Sequence, residues 1–438
     1  MAVTLLAAWL ARRAWIPPLP RAPSVIFVVL DDVRADHTSL CGYGRPTTPT
    51  LERLAREGAS FTCDARAPGS WTLPSHASFF TGEPVTVHRA HETGAGERAG
   101  ATTILAKGLD GALPTLAEQM EGFQTVAVSA NPVVSKRTGL LRGFGIAKAA
   151  AKFGAWFGPR LLDHLGDALA ELDPVGGPLF LFVNVLDAHN PWRSVPAGLG
   201  WAPRTEGTGV DRMKREGKWQ RFLGGTMPTE ERAALVTRVT DLYDYAIWRA
   251  DNNLAGVLAA VEARGWCAAG CRVVVVSDHG EFLGEKGLLD HGHYVWEPDA
   301  RVPLLVAEIG TDAEPPPLPS PVNALHAFHL VRDGELPDTL APVASAAWPH
   351  VKRCADLEGA AFCATSAAWW EGATKWVWSD GVVTAYDLAT DPGEDHPIEA
   401  PPPPNFDAFV KDVVAQSGAE DTLDPKVKEA LEAAGYLE

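Results

Sequence analysis

Positive charge is what this sequence is shortest of: 38 Lys and Arg stand against 55 Asp and Glu, a formal net charge of -17. A chain so acidic repels nucleic acid and anionic lipid, which excludes nucleic-acid binding, although a local cation site can still hold an anionic substrate. Cysteine is sparse too, at six, and no spacing among them matches a zinc site. Cys267 with Cys271, and Cys354 with Cys363, are close enough in sequence for either pair to bridge in an oxidising compartment. Long apolar runs are missing as well. The N-terminal AVTLLAAWLA is short for a bilayer, Arg12 and Arg13 follow it, and no small-residue cleavage site stands behind it. It reads as the stub of a membrane anchor or as a short helix, with the anchor favoured. No internal repeat occurs.

What is there suits a large globular core: 438 residues, 46% of them hydrophobic, enough for two or three domains or for one big α/β domain with an appendage. Three apolar runs have the length and β-branched content of buried parallel strands, and each ends in acids or histidines. SVIFVVL runs into Asp31-Asp32, LFLFVNV into Asp187-Ala188-His189, and RVVVV into Ser277-Asp278-His279. Side chains after parallel strands gather at the carboxyl edge of the sheet, where α/β proteins place their sites. Thr125 to Ser129 and Pro303 to Ile309 read as further strands. Pro49-Thr50-Leu51 opens a helix with Thr50 as a plausible cap and Gly58 as its end. Thr229 to Arg264 is a long helix whose apolar positions form a packing face. Strands alternating with helices over the first 310 or so residues predict an α/β fold, a mixed sheet sandwiched by helices.

Punctuation divides the chain. Residues 1–22 form an apolar segment and Pro-rich linker, 23–313 the main domain, and 314–438, opening on EPPPLPSP, a smaller subdomain. There KWVWSDGVVTAYDL alternates as in an antiparallel sheet, and Pro425 to Ala434 reads as a closing helix.

Asp31, Asp32, Asp278 and His279 offer three carboxylates and an imidazole, donors suited to calcium, magnesium, manganese or zinc. An acidic pair after a strand is as often a helix cap; three such strand ends together favour a metal. Thr72, in Trp71-Thr72-Leu73-Pro74-Ser75-His76, sits where a loop meets a helix start and is either an N-cap or a nucleophile for a phosphorus or sulfur centre. His76, one turn on, can reach the same anion. His189, His291 and His293 fall in strand-end or Gly-rich loop contexts and are candidates, with Asp187, for a second metal, an oxyanion contact or leaving-group protonation. His88, His91, His326 and His329 lack such contexts and read as structural.

In order along the chain, YGRPTTPTLERLAREGASF, APGSWTLPSHASFFTG, VNVLDAHNPW, SDHGEFLGEKGLLDHGHYVWEPDARVPLL and TKWVWSDGVVTAYDLATDPGEDHP resemble the sulfatase family of the alkaline phosphatase superfamily. The resemblance implies a large mixed sheet between helices, a smaller C-terminal α+β subdomain with a four-stranded antiparallel sheet, and a divalent metal, usually calcium, at Asp31, Asp32, Asp278 and His279. It also shows departures. The C/S-x-P-S-R signature, whose first residue becomes formylglycine, here has Thr72 in the nucleophile slot and His76 in the arginine slot. The Gly-Lys-Trp motif is missing, with Asn131 nearby, and His291 replaces a later lysine. Threonine cannot yield the aldehyde, so the formylglycine mechanism is excluded. SDHGEFLGEKGLLDHG is similar to the motif of phosphoethanolamine transferases, which, like lipoteichoic acid synthases, use a metal-bound threonine to take up a phosphoryl group.

Three functions follow as expectations: a metal-dependent hydrolase of sulfate or phosphate esters acting through Thr72 with His76, His189 and His291; a phospho-group transferase on a lipid or glycan; or a binding protein that keeps the cage without the chemistry. Small-molecule, glycan or lipid-headgroup esters are the expected partners, and a periplasmic, extracytoplasmic or membrane-associated location is expected.

Overall fold

The computed structural model describes residues 22–98, 101–173, 176–195, 199–202, 210–292, 294–348 and 364–417. The N-terminal apolar segment, Cys354, Cys363, His293 and the helix expected at 425–434 lie outside them. Among the described residues no helix is long and apolar enough to cross a membrane.

Eight strands form the large sheet: β1 (Ser24–Leu30), β2 (Ser60–Arg66), β3 (Gln124–Ser129), β4 (Ile146–Ala149), β5 (Leu179–Val185), β6 (Cys271–Val276), β7 (Arg301–Ile309) and β8 (Val322–Asn323). Their spatial order is β8-β2-β7-β6-β1-β5-β3-β4. β6, β1, β5, β3 and β4 run parallel, whereas β7 is antiparallel to both β2 and β6. The sheet is therefore mixed.

Every residue of β1 is buried, and its alternation feeds two cores. Ile26, Val28 and Leu30 pack with Leu161, Leu165, Val239 and Leu242 on one face. Val25, Phe27 and Val29 pack with Phe79, Phe80, Phe328 and Leu330 on the other. Successive strand side chains point to opposite faces, so a continuous apolar run requires cover on both. That cover comes from helices: α1 (Pro49–Arg56), α2 (Thr72–Thr81), α3 (Pro159–Ala170) and the long α4 (Thr229–Glu262) among them. Each fully buried Val, Ile or Phe contributes about 1.5–3 kcal/mol.

Helix α1 begins where expected, but Thr50 is not its cap. Thr48 holds that position without a side-chain bond, and the Thr50 and Leu51 N–H groups donate to the Asp251 carboxylate of α4 at 2.8 and 3.2 Å. A distant acid thus satisfies the helix start.

A second sheet is antiparallel throughout, β9 (Ala344–Ala347), β10 (Ser366–Glu371), β11 (Thr374–Ser379) and β12 (Val382–Asp387) in that order. It is tied to the loop that follows His291 and Gly292 through Lys375, completely buried, whose ammonium donates to Val295 O at 2.6 Å and reaches Glu297 at 3.2 Å and Glu394 at 2.5 Å. A buried polar group needs such partners, so this contact braces the segment at Val295–Glu297 against the small sheet.

Disulfides join Cys267 to Cys271, one of the two pairs left open by the spacing, and Cys41 to Cys63. The second pair is brought together by the packing of the loop before α1 against β2, which no local spacing announces.

Candidate active site

β6, β1 and β5 are adjacent and parallel, so the residues after them emerge on one edge of the sheet. Asp31 continues the ladder, its N–H donating to Val185 O at 2.9 Å. On an extended strand Asp32 would then face away from Asp31. Instead it turns at φ 68°, a left-handed conformation that a non-glycine residue keeps only where neighbours enforce it. Asp32 N–H donates to Asp278 Oδ1 at 3.1 Å and Val33 N–H to Ser277 Oγ at 2.8 Å. The Tyr243 hydroxyl on α4 donates to Asp32 O at 2.8 Å and accepts from Arg34 N–H at 2.9 Å. Alternation is broken, and both carboxylates reach the same histidine: His279 Nε2 is 3.9 Å from Asp31 Oδ1, and Nδ1 is 3.6 Å from Asp32 Oδ1.

Donors of Asp31, Asp278 and His279 lie within 4.8 Å of one another. His279 Nδ1 is bonded to Gly280 O at 3.0 Å, which directs the lone pair to Nε2. That nitrogen, Asp31 Oδ1, Asp278 Oδ2 and both oxygens of Asp32 are buried and make no hydrogen bond. Burial, then the Asp278 charge, pushes the Asp31 carboxyl up to about 6. Burial, then the nearby Glu281 carboxylate, pushes Asp32 well up. Burial also acts upward on Asp278, but His279 and His76 hold it down at about 2. Completely buried acids ionise only beside positive charge. None of Asp31, Thr72, Asp278 or His279 pairs with a lysine or arginine among the described residues. Oxygen and imidazole donors converging without hydrogen bonds are what a divalent cation requires, so these residues fit the metal their donor types suggest.

Thr72 is the first residue of α2, not its cap; Trp71 precedes it in extended conformation with no side-chain cap, and all ten helix residues are buried. The hydroxyl is therefore not committed to the helix backbone. Asn131 Nδ2 donates to Thr72 Oγ1 at 3.2 Å and to Asp31 Oδ2 at 3.0 Å, while its Oδ1 accepts from Val133 N–H at 3.0 Å, which sets the amide orientation. Asn184 Nδ2 on β5 donates to the same Asp31 oxygen at 2.8 Å. One carboxylate oxygen thus takes two amides while its partner oxygen takes none.

The remaining histidines separate by role. His76 Nδ1 is 2.9 Å from Thr72 O and 3.3 Å from Asp278 Oδ2, and Nε2 is 3.4 Å from Asn184 Nδ2. Both nitrogens of His76 thus face the scaffold, the first turn of α2, the Asp278 carboxylate and the Asn184 amide. His189 Nδ1 donates to Asn190 O at 2.6 Å, and its ring lies 4.7 Å from that of His291 and 6.4 Å from that of His279. Burial, then the neighbouring His279, pushes His189 down to about 3. His291 Nδ1 faces Glu281 at 3.4 Å, Asp290 at 3.5 Å and Asp32 at 3.9 Å. His88, His91 and His326 bond Ser78, Gln416 and the Ala341 N–H.

Asp187 is not brought to the cage. Its oxygens accept from Gly158 N–H at 3.0 and 3.2 Å, from Asn253 Nδ2 at 2.5 Å and from Arg249. An acid in a strand-end motif has been recruited to hold the start of α3 to α4. Asp187→Ala is expected to cost about 3–5 kcal/mol of unfolding free energy, since it strands a largely buried arginine and an amide, while leaving metal content per folded chain unchanged. Chemical denaturation and metal analysis on the same sample check this.

Asn184, Glu281 and Asp290 join the site without having been singled out in the sequence. Asn184 is the one polar residue in LFLFVNV, and Glu281 closes SDHGE; both were readable as anomalies. Asp290 shows itself only in its backbone, at φ 80°.

The Sulfatase family model matches residues 23–329. No curated protein sequence matches the chain. The fold is similar to that of a phosphonate monoester hydrolase of Agrobacterium radiobacter, at 15% identity and TM-score 0.59 over 90% of this chain and 95% of the other. A phosphonate monoester hydrolase from Silicibacter pomeroyi gives 16% and 0.59 over 90% and 94%. A putative sulfatase from Bacteroides thetaiotaomicron gives 14% and 0.55 over 93% and 96%. These likenesses concern the fold; the family match covers the strands that end in the acids, helix α2 and the segment from Asp278 to Gly292, and on it the chain belongs to the sulfatase family.

Proposed function

We propose that this protein is a metal-dependent hydrolase of phosphate or sulfate esters with Thr72 as its nucleophile. The observation that carries the reading is the Thr72 hydroxyl itself, first in a buried helix and held by the Asn131 amide that also grips Asp31. A structural threonine at a helix start would cap it. Here the hydroxyl is aimed by a side chain at the edge of a cage of acids.

A divalent cation held by Asp31, Asp32, Asp278, His279 and the Thr72 oxygen would supply the positive charge that activates the hydroxyl and neutralises the ester oxygens. The imidazole among the donors suits zinc or manganese better than calcium, which prefers oxygen. Asn131 orients Thr72 Oγ1. Attack forms a bond from that oxygen to phosphorus or sulfur as the bond to the leaving alkoxide breaks, and water then releases the covalent product. His189 and His291, ring against ring, stand on the Asp32 side to assist the leaving group.

Phosphate is favoured over sulfate. An aldehyde-derived nucleophile can expel sulfate by breaking its own carbon–oxygen bond, whereas a threonine ester must be cleaved at the heteroatom, a displacement that metal centres assist at phosphorus. Phosphate mono- or diesters of an aryl alcohol are therefore expected to turn over faster than the aryl sulfate, by on the order of 10-fold or more in kcat/KM, about 1.4 kcal/mol. Equal or reversed preference removes the phosphate assignment; no turnover of either with metal bound leaves the binding-protein reading. Transfer to a lipid or glycan acceptor shares the first half-reaction and is distinguished by which acceptor, water or alcohol, carries the product phosphoryl group. Two disulfides support an extracytoplasmic location.

A further inference from the structure

We propose that Lys214 selects esters whose alcohol portion carries a second negative charge, holding that anionic group beside the His189–His291 pair. The role rests on the reading of Thr72 as nucleophile and adds to it the class of alcohol that leaves.

Lys214 lies on the short helix Val210–Arg215. Val210 and Met213 are buried among Trp192, Trp219 and Phe222, and the Val210 N–H donates to Trp192 O at 3.4 Å. Positions i, i+3 and i+4 share one face of a helix. Lys214 therefore stands on the face that Val210 and Met213 bury, and its ammonium is carried inward. It donates to Asn190 Oδ1 at 3.5 Å and lies 4.0 Å from Asp290 Oδ2 and 4.9 Å from the centre of the Trp219 ring. Asn190 follows His189 and Asp290 precedes His291, so the ammonium is beside both histidines.

Burial orders these groups from the interior outward. His291 is completely buried, His189 and Asp290 are 5% and 7% exposed, and the Lys214 side chain is 37% exposed. The lysine thus marks the solvent side of the histidine pair. In-line displacement sends the departing oxygen away from Thr72, and with His189 and His291 serving that oxygen, the rest of the alcohol extends past them toward Lys214.

Other cations of the scaffold are already committed. Arg34 pairs with Asp36 and Glu285 at 2.7 Å, Arg45 with Asp241 at 2.7 Å and Asp244 at 2.8 Å, and Arg249 with Asp187. Lys214 differs: among the described residues no carboxylate lies nearer to it than 4.0 Å, outside hydrogen-bond reach. An ammonium carries three N–H donors, and one of them meets Asn190. In a chain of net charge -17, a lysine turned inward without a close counter-ion is matched by a ligand that brings one. A carboxylate or phosphate on the alcohol does so through a charge-assisted hydrogen bond, partly desolvated by Trp219.

Paired substrates test this: 3- and 4-(carboxymethyl)phenyl phosphate against their carbamoylmethyl counterparts, in which the methylene keeps the acidity of the leaving phenol alike. The metal-loaded full chain is expected to favour the carboxylate of at least one pair by about 5-fold or more in kcat/KM, mainly through KM. The preference should shrink as salt rises. Lys214→Met and Lys214→Gln should abolish it, Lys214→Arg should keep it, and Lys214→Glu should invert it. Equal turnover within both pairs overturns the role of Lys214 and leaves the proposed function standing, as does a preference retained in Lys214→Met. Calorimetric binding of the corresponding non-hydrolysable benzylphosphonates separates the remaining cases. With no ester turned over, the proposed function fails; a carboxylate preference in Kd that Lys214→Met removes then upholds the lysine as an anion contact, and no such preference overturns it as well.

Discussion

Thr72→Ala is expected to abolish ester turnover, by on the order of 10⁴- to 10⁶-fold in kcat/KM, about 5–8 kcal/mol of transition-state stabilisation. The methyl-bearing but hydroxyl-free variant, Thr72→Val, should behave the same way, because the loss is of the attacking oxygen and not of volume. Intact-mass analysis provides the sharper measurement. Incubated with a phosphate ester, the unaltered chain should gain a phosphoryl group on Thr72 and both variants should gain none. An adduct elsewhere, or turnover persisting in Thr72→Ala, would mean that water or another group attacks and that Thr72 only shapes the site. Folding should be little affected, since the hydroxyl has a single side-chain partner, Asn131, and losing one such bond costs about 0.5–1.5 kcal/mol.

Removal of metal should produce the second large effect, in stability as well as rate. Asp31, Asp32 and Asp278 crowd three carboxylates into a completely buried cluster, two of them pushed toward the protonated form by that burial. A cation that binds only the native state stabilises it by about 2.7 kcal/mol at 100 times its Kd, worth about 3 °C in Tm for a chain this large. Chelation is therefore expected to lower Tm by several degrees and to extinguish activity, with both restored by Zn²⁺ or Mn²⁺. Asp278→Asn makes the distinction. With chelator present its Tm should lie near that of the unaltered chain, because losing the attraction of His279 and His76 is offset by relief of repulsion with Asp31. With metal present only the unaltered chain should gain. A Tm indifferent to metal in both proteins would remove the cage from the argument.

How far the residues announced their roles can be followed one by one. Asp31, Asp278 and His279 were legible because a parallel strand reports its own carboxyl end: an apolar β-branched run stops and a polar residue follows. Asp187 bore the same signature and has a structural role, because whether an acid at a strand end meets a cage or an arginine depends on which helix crosses behind it. Here α4 supplies Arg249 and Asn253. Thr72 was legible as a hydroxyl at a helix start. That the hydroxyl is held by a side chain and not spent on a cap depends on Asn131, 59 positions away.

By itself the sequence determined the elements and their ends: the alternating apolar pattern that demands cover on both faces of a mixed sheet, the antiparallel character of the final strands, and the acidic composition. These are local properties, set by side-chain periodicity and backbone preference within a few residues. Tertiary structure decided which polar residues meet. The backbone reversals at Asp32 and Asp290, the pairing of Cys41 with Cys63, the gathering of Glu281 and His291 beside Asp32, and the diversion of Asp187 all depend on contacts between segments far apart in the chain. Such contacts have no local signal because their energy comes from burial and charge shared between segments.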